Sequence, residues 1–129
     1  MLNFNSILVF SETPDELASF YEKVFEKKPD WDMQGYKGFT LGAASITIGP
    51  HDKVKGKSAN PERIMFNLET NDVKGEFQRI KDLGAEVIAE PYGMEEGSEK
   101  SDEAIATFAD PDGNYFQLMT PMPMPSEQA

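Results

Sequence analysis

The chain has 129 residues, no cysteine and a formal net charge of −11 at pH 7. Its length predicts one domain with a core of its own, and the lack of cysteine excludes disulfides, zinc–thiolate sites, iron–sulfur clusters and cysteine nucleophiles. Such an acidic surface repels nucleic acid and anionic lipids, so neither is an expected partner. No apolar run approaches the roughly 20 residues of a membrane helix, and the N-terminus lacks the basic segment of a signal peptide, so a cytoplasmic protein is expected.

The first part of the chain predicts a strand, a helix and three short strands. Residues 2–10 alternate and are rich in β-formers, which predicts a strand. A helix is predicted over 14–27, because Thr13 suits the N-cap, Pro14 the first helical position, and Glu16 completes a capping box. Three antiparallel strands joined by glycine-containing turns are then predicted at 32–36, 38–42 and 45–49.

The same order returns after a polar connector over residues 50–61. A strand is predicted at 63–69, a helix within NDVKGEFQRIKDLGAE, and a further strand near 85–90. The polar loop GMEEGSEKSDE leads to a hairpin of AIATFAD and NYFQLMT, joined by the strong turn sequence DPDGN. The last residues, 122–129, are predicted to form a mobile tail.

This repeated order predicts an α+β fold of paired βαβββ modules, 1–49 and 62–121, whose curved mixed sheets form a cup within one domain, 1–121. Strand alternation predicts which side chains pack on a helix: Ile7, Val9, Ile64, Phe66 and Leu68. The same alternation predicts a concave set: Phe4, Ser6, Leu8, Arg63, Met65 and Asn67. A concave face of mixed polarity suggests a site for a small molecule.

Three segments resemble the vicinal oxygen chelate superfamily, also described as glyoxalase / bleomycin resistance protein / dioxygenase proteins. They are ILVFSETPDELASFYEKVF, NLETNDVKGEFQRIKDLGAEV and FADPDGNYFQLMTP, and the resemblance covers residues 3–121. The last segment is the most specific, because a DPDGN turn before the final strand is typical of that superfamily. The resemblance implies the paired βαβββ fold and a homodimer. Its members range from glyoxalase I, dioxygenases, an epimerase and fosfomycin-resistance enzymes to metal-free bleomycin-binding proteins, so the fold does not choose a function.

The resemblance also implies where a catalytic metal would bind: on the first and last strands of each half, through His, Gln or Glu. The matching positions in this sequence are Ser6, Thr47, Arg63 and Gln117. Met65 takes the place of Arg63 if the extra residue lies in the strand and not in the ETND turn. Hydroxyls are poor ligands for transition metals, an amide offers one neutral oxygen, and arginine cannot coordinate. The only histidine, His51, lies in the connector, so no metal and no cofactor are expected.

These positions predict a protein that binds a small molecule in a metal-free pocket, with no catalytic residue assigned. The predicted pocket residues are Ser6, Thr47, Arg63, Gln117, Met65, Tyr115 and His51, with Trp31 a further candidate for an aromatic wall. Arg63 would bind the carboxylate or phosphate of an anionic or amphipathic ligand.

Other interpretations of the same residues stay open. One is a metal-independent enzyme with His51 or Glu69 as base, and another is a metal-dependent enzyme, lactoylglutathione lyase-like or dioxygenase-like, with non-standard ligands. A third is a structural or regulatory module without a ligand. In that case Gln117 is an ordinary hydrogen-bonded strand residue, Arg63 a solvated residue at a strand start, and His51 a surface loop residue.

Overall fold

A computed structural model describes residues 1–93 and 104–121, so the predicted acidic loop beyond Gly93 and the predicted tail at 122–129 lie outside the described residues. The chain divides into two compact units, Met1–Ala59 and Asn60–Ala129. Each unit holds one four-stranded mixed sheet and one helix in the order βαβββ, which confirms the predicted α+β class. No helix among the described residues is long and apolar enough to cross a membrane.

Unit 1 contains β1 (Ser6–Phe10), α1 (Pro14–Phe25), β2 (Trp31–Met33), β3 (Tyr36–Leu41) and β4 (Ala44–Gly49). The sheet order is β1-β4-β3-β2, with β1 parallel to β4 and the other pairs antiparallel. The apolar stripe of α1 packs on one face of this sheet, where Tyr21, Phe39 and Ile48 are fully buried. The rings of Phe25 and Phe39 meet edge to face at 5.3 Å, so this face forms the core of unit 1.

The start of α1 differs in one detail from the sequence prediction. Thr13 is the N-cap and Pro14 the first helical residue, as predicted. The Thr13 side chain makes no capping hydrogen bond, so the predicted capping box is wrong. Instead the buried Ser11 hydroxyl accepts a hydrogen bond from the Thr13 N–H at 3.0 Å and holds the turn that enters the helix.

Unit 2 contains β5 (Phe66–Glu69), α2 (Val73–Asp82), β6 (Glu86–Tyr92), β7 (Ile105–Ala109) and β8 (Tyr115–Met119). The sheet order is β5-β8-β7-β6, with β5 parallel to β8. A run of stacked rings joins α2 to the sheet: Phe77 on Phe108, Phe108 on Phe116, and Phe116 on Phe66, with centroids 5.1, 5.7 and 6.3 Å apart. This stack confirms that Phe66 faces the helix side.

Both first strands are shorter than the sequence pattern predicts. Phe4 precedes β1 and is 78% exposed, so its predicted place in the strand is wrong. β5 begins only at Phe66, because the Arg63 N–H is used in a turn, where it donates to the Asn60 carbonyl at 3.0 Å. Arg63, Ile64 and Met65 therefore lie outside the strand, and Ile64 is exposed instead of packing on α2.

The DPDGN turn between β7 and β8 forms as predicted. The buried Asp110 carboxylate accepts hydrogen bonds from the Asp112 N–H at 2.9 Å and the Asn114 N–H at 3.0 Å. Gly113 takes a φ of 82° and donates its N–H to the Asp110 carbonyl. This turn fixes the register of β8, which places Gln117 opposite Thr107 on one side and Asn67 on the other.

Candidate functional site

In each unit the helix covers one face of the sheet, and the candidate side chains lie on the other, which is called here the helix-free face. Because side chains alternate along a strand and paired residues share a face, the register assigns the members. On unit 1 they are Ser6, Leu8, Phe10, Trp31, Met33, Tyr36, Gly38, Thr40, Ser45, Thr47 and Gly49. Ser6 and Thr47, both predicted from the sequence, therefore share this face.

A cross-strand row of four residues, the Trp31 row, spans the whole sheet of unit 1: Leu8, Thr47, Gly38 and Trp31 pair in succession. The indole of Trp31 lies over Gly38, where a Cβ would overlap its Cε2 and Nε1 atoms. Trp31 is 43% exposed and Leu8 58%, whereas Thr47 between them is 9% exposed. Thr47 thus lies low between two accessible apolar side chains.

A second aromatic row lies beside the first. The ring of Tyr36 covers Gly49, where a Cβ would again overlap it, and Phe10 pairs with Gly49 from the other side. The ring of Phe10 meets Tyr36 edge to face at 6.5 Å and His51 at 5.1 Å. His51, a predicted pocket residue, is therefore packed at the end of this row.

The polar groups of the Trp31 row have no partners of their own. Neither the Thr47 hydroxyl nor the Trp31 indole N–H makes a hydrogen bond in the part of the chain that the structure describes. His51 differs, because its Nδ1 accepts a hydrogen bond from the Lys53 N–H at 3.1 Å. Among the described residues of this face, the Ser6 hydroxyl also has no hydrogen-bond partner, so Ser6, Thr47 and Trp31 each have a donor available to a ligand.

The helix-free face of unit 2 is more polar. It carries Asn67, Glu69, Glu86, Ala89, Tyr92, Ile105, Thr107, Ala109, Tyr115, Gln117 and Met119. The Gln117 Nε2 donates to the Thr107 hydroxyl at 3.3 Å, so this amide is held by its cross-strand neighbour. Tyr115, another predicted pocket residue, lies two positions from Gln117 on the same face.

Arg63 does not occupy the strand position that the superfamily resemblance assigns to it. In unit 1 the residue opposite Thr47 is Leu8, and in unit 2 the residue opposite Gln117 is Asn67. Ser6 lies two residues before Leu8, and Met65 lies two residues before Asn67. Met65, and not Arg63, is therefore the equivalent of Ser6. Arg63 is exposed in the turn before β5, and a contact between it and a ligand stays a prediction.

The positions that the superfamily resemblance assigns to metal ligands carry no strong metal ligand in either unit. They hold two hydroxyls in unit 1, from Ser6 and Thr47, and a thioether and an amide in unit 2, from Met65 and Gln117. Divalent metals in such sites prefer imidazole and carboxylate ligands. Across residues 1–93 and 104–121, no three His, Asp or Glu side chains lie close enough together to hold a metal ion.

Sequence reasoning missed Phe10 and Tyr36 as members of the aromatic rows. A signal was present in the two strand glycines, Gly38 and Gly49, because a glycine inside a strand often marks the close approach of another group. Which aromatic ring covers each glycine depends on the strand register, and the sequence pattern does not give that register.

Comparison with protein families gives a match to a model described as a glyoxalase-like domain, over residues 6–119. Among curated proteins, YetH of Bacillus subtilis (strain 168) is 33% identical over 73 residues, which are 57% of this chain and 54% of YetH. The chain thus spans about half the length of that relative.

Solved structures with the same fold include two named proteins. FosX, a fosfomycin resistance protein from Listeria monocytogenes, superposes with a TM-score of 0.70 at 20% identity over 95% of each chain. Lactoylglutathione lyase from Agrobacterium tumefaciens gives 0.68 at 16% identity over 92% of each chain. A FosX variant complexed with Mn(II) and 1S,2S-dihydroxypropylphosphonic acid gives 0.68 at 19% identity, over 95% of this chain and 92% of that one.

Proposed function

Because the chain belongs to the family of glyoxalase-like domains, and so to the vicinal oxygen chelate superfamily, we propose that it binds a small organic molecule on a helix-free sheet face without a metal ion. One observation carries the proposal: Thr47, at a position that the superfamily resemblance assigns to a metal ligand, is nine-tenths buried and pairs with Gly38, the residue that the Trp31 indole covers. A hydroxyl at this position offers a ligand a hydrogen bond instead of a coordination bond.

The charge on the two faces supports binding over metal-dependent catalysis. The helix-free face of unit 1 carries no Asp, Glu, Lys or Arg, so it offers no carboxylate to a cation. On unit 2, Glu69 and Glu86 lie on the helix-free face, but both are exposed residues at the ends of their strands, β5 and β6. The Mn(II) and phosphonate of the FosX complex therefore have no matching cluster of charged side chains among the described residues.

The test begins with metal stoichiometry. The purified protein is loaded with Ni, Zn, Mn or Fe(II), freed of excess metal and analysed for bound metal per chain. We expect no stoichiometric metal, because the assigned positions carry only hydroxyls in unit 1 and only a thioether and an amide in unit 2, none of which is a strong ligand. About one metal ion per chain would overturn the proposal and favour a metal-dependent enzyme related in chemistry to FosX or lactoylglutathione lyase.

The second part is a small-molecule screen by thermal shift, since a ligand that binds only the folded state raises its melting temperature by mass action. Hits are repeated on Thr47→Val, Gln117→Ala and Arg63→Ala, with Thr40→Val as the matched control on the same face as Thr47. We expect Thr47→Val or Gln117→Ala to reduce the shift, and Thr40→Val to leave it unchanged. A library without any stabilising compound would contradict the proposal.

Three finer points rest on the sequence and stay proposals. A homodimer is proposed from the superfamily resemblance, and light scattering coupled to gel filtration measures its mass. An anionic ligand is proposed from Arg63, and it requires Arg63→Ala to weaken the binding of every anionic hit. A cytoplasmic location stays a proposal, and fractionation of cells that express the chain tests it.

A further inference from the structure

We infer that the Trp31 row binds a neutral, planar ring compound that carries a carbonyl group. The inference rests on the proposed function and specifies the ligand class for the helix-free face of unit 1, whereas the anionic ligand proposed from Arg63 concerns unit 2. It starts from Thr47, which is nine-tenths buried, has no hydrogen-bond partner among the described residues, and lies on the helix-free face.

The walls around Thr47 favour a flat molecule. Neighbouring strands in a sheet lie about 4.8 Å apart, so Leu8 on one side and the indole over Gly38 on the other stand close to Thr47. Both walls are apolar and both are partly exposed. A ring that stacks on the indole buries apolar area and gains an aromatic pairing in the same step.

The available hydrogen-bond groups favour an acceptor on that ring. An indole N–H only donates, and a threonine hydroxyl can donate or accept. The Trp31 Nε1 atom lies over Gly38, which pairs directly with Thr47, so the two donors are neighbours across one strand. A carbonyl oxygen has two lone pairs and can accept from both, which a hydrocarbon or an amine cannot do.

The lack of charge in the row favours a neutral compound. No Asp, Glu, Lys or Arg side chain lies on this face, so an ionic ligand placed over Thr47 would lose water without gaining a counter-charge. An ion left unpaired in such surroundings is strongly disfavoured relative to the same ion in water. Shape, donors and charge therefore point to the same class of ligand.

The experiment is an NMR titration with three bicyclic probes of matched shape: neutral quinolin-2-one, cationic N-methylquinolinium and anionic quinoline-2-carboxylate. The chain has a single tryptophan, so one indole N–H signal reports on Trp31 without mutation. We expect quinolin-2-one to shift this signal and the Thr47 amide signal. The two charged probes should bind at least about tenfold more weakly.

Variants separate the hydroxyl from the shape of the row. Thr47→Val keeps the shape and removes the donor, and it should weaken quinolin-2-one about 3- to 10-fold. Thr40→Val, on the same face but outside the row, should leave the affinity unchanged. Gly38→Ala adds a Cβ where the indole lies, and it should move the indole signal of the free protein and weaken binding more than Thr47→Val does.

Several results would overturn the inference. They are no binding of quinolin-2-one up to its solubility, equal affinity for a charged probe, unchanged affinity of Thr47→Val, or shifts confined to unit 2. If Gly38→Ala does not fold, Thr47→Val decides alone. Any of these results would leave the proposed function intact as long as other compounds bind. Stoichiometric metal, or a ligand screen without any stabilising compound, would overturn the proposed function itself.

Discussion

At the residue scale, Asp30 is a described residue whose pKa is lowered by identifiable hydrogen bonds. Its Oδ2 atom accepts hydrogen bonds from the Lys27 ammonium at 2.8 Å and from the Thr40 N–H at 2.6 Å. Two hydrogen bonds hold the pKa of Asp30 below its ordinary value of 3.8. The larger effect comes from the Lys27 side chain, and the next from the Thr40 N–H. The charged form of Asp30 thus joins the residues after α1 to the C-terminal end of β3.

We predict that Lys27→Gln raises the pKa of Asp30 towards its ordinary value, measured by an NMR titration of the side-chain carboxyl carbon. Because the folded-state pKa is lowered, the stability that Asp30 contributes is complete above its unfolded pKa and lost as the pH falls through the folded one. In Lys27→Gln the folded-state pKa lies nearer the unfolded one, so this loss should be smaller and should be complete at a higher pH. Lys28→Gln removes the charge of an exposed lysine that pairs with Glu22, and it should leave the pKa of Asp30 unchanged; equal shifts in both variants would contradict the assignment.

At the scale of single elements, α2 shows how a residue that weakens a helix by propensity can support its start. The Asp72 carboxylate accepts a hydrogen bond from the Gly75 N–H at 3.0 Å and caps the first turn. A Cβ on Gly75 would overlap that carboxylate. Gly75 lowers the helix propensity, but it leaves room for the cap.

This geometry predicts that the effects of two substitutions are not additive. Gly to Ala normally stabilises a helix by up to about 1 kcal/mol, and loss of an Asp cap costs about 1 kcal/mol. Gly75→Ala alone displaces the cap, so the two effects should nearly cancel in the free energy of unfolding measured with urea. In the background of Asp72→Ala the same change should stabilise by about 1 kcal/mol. An equal effect of Gly75→Ala in both backgrounds would show that the cap and the glycine are independent.

The order of the elements could be predicted from the sequence, and their ends could not. The period of the apolar residues identifies α1, α2 and the strands, because burial of one face sets that period. The alternation of residues 63–65 predicts an earlier start of β5 than the structure shows. In the structure the Arg63 N–H donates to the Asn60 carbonyl in a turn. Alternation records which side chains are apolar, not which backbone groups find a partner on the next strand.

At the scale of the whole molecule, the sequence predicted the repeated βαβββ plan but only part of the candidate site. The plan places Ser6, Thr47 and Gln117 on strands, as the structure does, and their contact with a ligand stays a prediction. Arg63 differs, because it precedes the observed start of β5. The indole over Gly38 joins residues seven positions apart through the pairing of β2 with β3. A contact of this kind depends on the register, and residue types alone do not specify it.

The acidic balance of the chain gives the last prediction. The sequence has 23 Asp and Glu against 12 Lys and Arg, so the excess negative charges of the folded chain repel one another at low salt. Raising NaCl from about 10 to about 300 mM shortens the screening length from about 30 to about 6 Å. The repulsion should weaken more than the exposed ion pairs do, since each of those contributes little.

The melting temperature should therefore rise with salt, by about 3–5 °C over this range, in a scanning calorimetry or circular dichroism experiment. A double variant, Glu62→Lys with Glu90→Lys, changes two exposed acidic residues and brings the net charge from −11 to −11 + 4 = −7. Its response to salt should be smaller, because the repulsion grows with the square of the charge. A melting temperature that falls with salt, or an equal rise in both proteins, would show that short-range ion pairs and not the net charge control the electrostatic part of the stability.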